Sequence, residues 1–156
     1  MSNGQYEVLR GLGTADVERT LALGSRISLS SGDELFPLGG VAHCLYLISH
    51  GQINLTLPMR VRDRDTHVLV EEQAAGQTVG WSALIPPNRF TLRATAAVDT
   101  EVIALPRDAM EQLFHAHPEI GYMVSLNVAE VIGHRLQVFQ AMWLREVARM
   151  IELRAA

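Results

Sequence analysis

The chain has 156 residues, 48% of them apolar and 19% charged, with a net charge of −4. This suits one globular domain with a real core and excludes a chain whose main task is to coat nucleic acid, because neutralising phosphates needs clustered Lys and Arg. The single cysteine, Cys44, excludes a disulfide framework or a Cys-ligated cluster within one chain. No apolar run approaches the roughly 20 residues that span a bilayer, and "MSNGQYEVLRGLG" holds no apolar core of signal-peptide length, so the expected location is cytoplasmic.

The first twenty-odd residues read as helix, with Thr14 as N-cap for "ADVERTLAL" and Gly24 as the stop signal. From Ser25 to Leu105 the pattern becomes short β-type runs punctuated by glycine: "SRISLS", "DELFPLGG", "CLYLISHG", "QINLTLPM", "THVLVEEQ", "FTLRATA" and "TEVIALP". Such spacing predicts a β-sandwich or barrel. In "QINLTLP", Ile53, Leu55 and Leu57 are expected on one face, and Gln52, Asn54 and Thr56 on the other. Ser49–His50–Gly51 reads as a tight hairpin turn, and "RVRDRD" as an exposed hairpin tip. Cys44 lies in an apolar run, which favours a buried small hydrophobe over a reactive thiol.

After Pro106 the period becomes helical. "RDAMEQLFHAH" places Met110, Leu113 and Phe114 at helix spacing until Pro118 interrupts it. A long helix is then predicted from about Glu119 to Glu152. It carries one apolar stripe through Ile132, Leu136, Phe139, Trp143 and Met150, broken by Glu146. A second runs through Val124, Val128, Val131, Val138 and Met142, broken by Arg135. A small β-domain covers one face; the other calls for a second copy of the chain, so a homodimer is expected through this helix, with Ile132, Leu136, Phe139, Met142 and Trp143 at the contact.

Two glycine-centred motifs narrow the fold. "SSGDELFPLGGVAHCLYLISHGQINL" contains Tyr46, Ile48, Gly51, Ile53 and Leu55 in a Y-x-I-x-x-G-x-(V/I)-x-L pattern. "GQTVGWSALIPPNRFTLRATAAVDTEVIALP" carries a glycine turn, a short helical insert with an arginine, and an Asp-Thr turn. From about residue 8 to residue 145 the chain resembles the cyclic-nucleotide-binding domain of the catabolite-activator (Crp/Fnr) family. The resemblance implies a mainly β fold with flanking helices: N-terminal helices and a double-stranded β-helix, or jelly-roll/cupin-like β-roll, over residues 1–118, and a long C-terminal dimerisation helix over 119–156. It further implies a phosphate cassette at Gly80, Trp81, Ser82, Ala83, Arg89, Phe90 and Thr91. In members that bind cyclic AMP, a glutamate of this cassette accepts from the ribose hydroxyl and an arginine pairs with the cyclic phosphate. Gly80, Ala83 and Leu84 agree with that pattern, whereas Trp81 stands at the glutamate position and cannot accept a hydrogen bond. Arg89 lies one residue early, which puts Phe90 in the arginine's frame. Losing one partner of a charged hydrogen bond costs about 1.5–3 kcal/mol, so weak or absent cyclic AMP binding is expected. Trp81 then either stacks on a different flat or anionic ligand or fills the pocket itself.

Family transcription factors continue into a winged helix-turn-helix domain. This sequence ends soon after the long helix, so direct DNA binding is not expected. The stand-alone regulatory module is weighed against the ligand-sensing fragment of a Crp/Fnr-type regulator that binds cAMP or another nucleotide. No cofactor is expected beyond a cyclic nucleotide or other small anion. A metal-holding cupin enzyme needs a His-x-His pair on a strand. His43, His50 and His67 are isolated, and His115 and His117 fall at a helix end, so neither metal nor catalytic residues are assigned. A haem on His50 or His134 has no positive signal.

Overall fold

The computed structural model describes residues 6–155; the first five residues of the expected N-terminal helix lie outside the described residues. The rest of that segment is not one helix. A 3-10 turn at Glu7–Leu9 precedes α1, Thr14–Leu21, and Gly11 between them has φ +86°, which no right-handed helix accepts. Gly13, rather than Thr14, holds the N-cap position.

The strands are β1 (Ser25–Leu29), β2 (Glu34–Phe36), β3 (Cys44–His50), β4 (Gln52–Val61), β5 (Arg64–Ala74), β6 (Thr78–Val79), β7 (Arg93–Ala96) and β8 (Thr100–Pro106). Each expected β-run contains a strand. The two-residue β6 is too short to leave a periodic signal, and "FTLRATA" keeps only its last four residues in β7. Two helices follow, α2 (Arg107–Ala116) and α3 (Pro118–Ala155), with Pro118 at the first helical position, where its missing N–H costs nothing.

The strands form two four-stranded antiparallel sheets, ordered β1-β8-β3-β6 and β2-β7-β4-β5. This is the mainly β roll expected from the sequence, followed by its long helix. Leu45, Leu47, Ile53, Ala94, Val102 and Leu105 fill the core and are fully buried. The N-terminal turn, α2 and the first turns of α3 close one end of it through Val8, Met110, Ile120 and Val124, all fully buried. Asn127 pins this layer: its Nδ2 donates to the carbonyls of Val8 at 2.9 Å and Arg10 at 2.8 Å. Among the described residues no helix is long and apolar enough to cross a membrane.

Two local readings need correction. Ser49–His50–Gly51 is not a hairpin, because β3 and β4 belong to different sheets. The chain crosses between sheets at Gly51, φ +89°, where a Cβ would lie 2.4 Å from Thr100 Oγ1 and 2.6 Å from the Asp99 carbonyl. The strict alternation of "QINLTLP" also fails at Thr56. The β4–β5 register shifts between Leu55, opposite Glu71, and Thr56, opposite Leu69, so Val70 is the extra residue of a bulge. Thr56 is buried and Leu57 only half-buried as a result. By contrast, the hairpin tip stands: Arg62 and Asp63 have φ +48° and +63°, as a two-residue type I′ turn requires.

Replacing Gly51 by Ala combines a positive-φ penalty with an unrelieved backbone clash. The expected loss of stability is about 2 kcal/mol or more, read as a lower denaturation midpoint in urea with an unchanged slope; a midpoint equal to wild type contradicts the crossing geometry.

Candidate functional site

The segment after β6 begins with Gly80 in the left-handed region, φ +80°. A Cβ there would meet Tyr46 Cδ2 at 3.1 Å and Phe90 Cε1 at 3.2 Å, so glycine lets the chain turn against both rings. A 3-10 turn, Trp81–Ala83, follows. Asn88, itself at φ +58°, caps the end of this turn: its Nδ2 donates to the Ser82 carbonyl at 3.1 Å and the Ala83 carbonyl at 3.0 Å. Ser82 and Ala83 are buried, and Trp81 is half-buried against the core.

Gly80, Trp81, Ser82, Phe90 and Thr91 from the expected cassette line one cleft, together with Phe36, Leu55, Val79, Leu92 and Arg135. Ala83 is buried but does not line it, and Arg89 does not line it either. Arg89 is exposed, pairs with Val41 in an isolated β-bridge, and its Nη1 donates to the Gly39 carbonyl at 3.0 Å. Phe90, the next residue, turns inward. Its ring stacks on Phe36 with centroids 3.7 Å apart and planes 10° from parallel, and Tyr46 stacks on the other partner at 5.8 Å. The one-residue offset read from the sequence thus has a structural meaning, with a phenyl ring inside where the family pattern implies an arginine. Only about 10 Å³ remains open in the cleft, the space of roughly one water molecule.

The electrostatics are those of an apolar pocket. Burial pushes the Tyr46 phenol up to about 12, keeping it neutral. Partial burial also raises the Cys44 thiol, which disfavours a thiolate, although Cys44 is half-buried and not the fully buried residue expected. Among the described residues, the one charged side chain lining the cleft is Arg135 of α3, only 7% exposed. It forms an ion pair with Glu71 of β5. The Val70 bulge makes this pair, since Glu71 stands opposite the inward-facing Leu55 and shares its face. Sequence reasoning read Arg135 only as a break in an apolar stripe. The signal was there: a lone cation on a stripe otherwise of valines needs a buried partner.

On its other side Arg135 borders a polar cleft of about 180 Å³ lined also by Glu7, Arg10, Gln73, Asn127, Glu130 and His134. Burial raises the Glu7 carboxyl, and the Thr78 N–H, donating to its Oε1 at 2.8 Å, opposes that shift. Among the described residues no group of His, Cys, Asp and Glu is placed to hold a metal ion. Of the residues expected at a helix contact, Ile132, Phe139 and Met142 pack partly onto this domain's own core, while Leu136 and Trp143 are 58% and 66% exposed. Leu144, Met150, Ile151 and Leu153 extend that exposed apolar surface.

The outward arginine and inward phenylalanine are separable by mutation. Phe90→Ala is expected to cost about 3–5 kcal/mol, and Arg89→Ala to stay within about 0.5 kcal/mol of wild type, both by chemical denaturation. Equal effects contradict this placement.

The match to known proteins agrees with this geometry. The sequence model for "Cyclic nucleotide-binding domain" matches residues 26–117. No curated protein matches the sequence. Among solved structures, the chain is similar to the catabolite activator protein of Thermus thermophilus, with TM-score 0.72, 22% identity, and coverage of 91% of this chain and 63% of that one. It is also similar to the N-terminal domain of a transcriptional regulator from Streptomyces coelicolor A3(2), with TM-score 0.69, 20% identity, and coverage of 88% and 94%. A third is the c-di-GMP-responsive global regulator of Xanthomonas campestris, with TM-score 0.74, 18% identity, and coverage of 85% and 64%. With its roll, glycine-led cassette and long following helix, the chain belongs to the cyclic nucleotide-binding domain family.

Proposed function

We propose that this chain is a regulatory small-ligand-binding module, not an enzyme, that binds cyclic AMP weakly or not at all. The carrying observation is the pair of cassette changes in one pocket: an indole at the sugar-reading position and a phenyl ring in place of the inward arginine. A cyclic nucleotide needs a ribose acceptor and a phosphate partner. Trp81 cannot accept, and Arg89 faces solvent. The rings of Phe36 and Phe90 would also have to part to admit a purine. The names of the similar proteins support an open ligand identity, since one is a catabolite activator and another responds to c-di-GMP on the same fold. Any ligand stacked near Trp81 would have to part the same rings, so the pocket favours one smaller and flatter than a purine.

The signal leaves through α3. Its exposed apolar side chains, Leu136 and Trp143 among them, support a homodimer in which two copies cover one another. A cytoplasmic regulator acting through a protein partner fits this arrangement, and direct DNA reading by these residues does not form part of it.

Thermal shift with cyclic AMP at high micromolar concentration tests the ligand reading. No rise in melting temperature is expected, whereas a site with Kd a hundredfold lower would add about 2.7 kcal/mol. A shift of several degrees refutes it. Light scattering tests assembly: the full chain is expected at dimer mass, and a chain lacking residues 138–156 at monomer mass. A monomeric full chain rules out the helix contact.

A further inference from the structure

The polar cleft of about 180 Å³ beside Arg135 takes no part in the cassette, and its charges do not balance. Among the described residues, three carboxylates line it, Glu7 from the N-terminal turn, Glu71 from β5 and Glu130 from α3, against two arginines, Arg10 and Arg135. Both arginines are engaged. Arg135 pairs with Glu71, whose Oε1 also has His134 Nε2 at 3.3 Å, and Arg10 pairs with Glu130 on the rim. Glu7 is left over. Its Oε1 accepts from the Thr78 N–H at 2.8 Å, and among the described residues no cation pairs with it. Burial raises its carboxyl, and a cation in the cleft offsets that cost.

The neutral side chains of the cleft add acceptors. Gln73 stands opposite Ile53, shares the inward face of β5 with Glu71, and is only 3% exposed. It lines the cleft, and among the described residues its side-chain amide has no hydrogen-bond partner. Buried amides are almost always hydrogen-bonded, so one left open onto a cleft marks the place of a partner. Asn127 has its Nδ2 committed to the carbonyls of Val8 and Arg10, so what it presents to the cleft is its carbonyl oxygen.

We propose that this cleft is a second ligand site, separate from the cassette, and that it takes a small organic cation with N–H donors, a primary ammonium or a guanidinium. The charged head donates to the free oxygen of Glu7, to the Gln73 amide oxygen and to Asn127 Oδ1. Among the described residues no group of His, Cys, Asp and Glu is placed to hold a metal ion, so the site reads N–H donors rather than a bare cation. An occupant touches the N-terminal turn, β5 and α3 together, and so ties the long helix to the roll.

The test is an NMR titration of the isotope-labelled full chain with methylguanidinium and ethylammonium. Tetramethylammonium, with the same charge and no N–H, is the control. At least one donor cation is expected to bind about tenfold more tightly than tetramethylammonium and to shift the side-chain amide signals of Gln73 and Asn127; the tighter one identifies the head group. Glu7→Gln keeps an acceptor for Thr78 and is expected to weaken binding about tenfold or more, and Gln73→Met, of similar size, to weaken it roughly fivefold. Arg10→Gln frees Glu130 on the rim and is expected to tighten binding about threefold, a gain that misfolding does not produce. Glu72→Gln, which removes an exposed carboxylate from the same strand, is expected to bind like wild type. Failure of both donor cations to bind, equal binding of tetramethylammonium, wild-type affinity in Glu7→Gln, or an equal loss in Glu72→Gln overturns this inference and leaves the reading of the cassette untouched.

Discussion

The ring of Phe36 lies flat on that of Phe90, 3.7 Å between centroids, and the ligand side of the roll is arranged around that contact. Phe90 faces inward to make it, so Arg89, one residue earlier, faces outward and hydrogen-bonds to Gly39. Gly80 has to be glycine partly because Phe90 stands 3.2 Å from where its Cβ would be. Tyr46 extends the stack from β3, burying a phenol that stays neutral. One apolar contact across the roll thus decides which side chain enters the pocket, how the cassette turns, and how little space remains.

Against this apolar interior, the ion pair of Arg135 and Glu71 is an expensive choice. Taking both charges out of water costs several kcal/mol per ion, recovered only in part by their attraction. A well-packed apolar pair at these positions would hold α3 to β5 at least as firmly. What the pair adds is register: shifting α3 on β5 would strand a charge in an apolar surround, at a cost of about 3–5 kcal/mol. It stands at the junction of roll and helix, one residue before the exposed Leu136.

Much of the fold was legible in the sequence because period-2 runs, glycine punctuation and a proline at the start of the long helix are local signals. What the sequence hid was mostly relational. Gly51 looked like a hairpin glycine because its neighbours are strands, but nothing local says that they belong to different sheets. Thr56 broke its alternation because of an extra residue, Val70, on another strand. The same bulge turned Glu71 inward, so the partner of Arg135 could not be found from the helix alone. In the cassette, the offset of Arg89 was visible as spacing, while its consequence required the aromatic partner, Phe36, from a distant strand.

The Arg62–Asp63 turn sends β4 and β5 out as a long ribbon, and β5 ends its sheet with one side unpaired by any described strand. An open edge of 11 residues is a template on which another chain could grow. Arg64, Asp65 and Glu72, all exposed along it, oppose such growth, because stacking a second copy in register would bring like charges together without water. The exposed charges on β5 thus guard solubility, and a change that neutralises them exposes the chain to sheet-to-sheet aggregation even where its fold is intact.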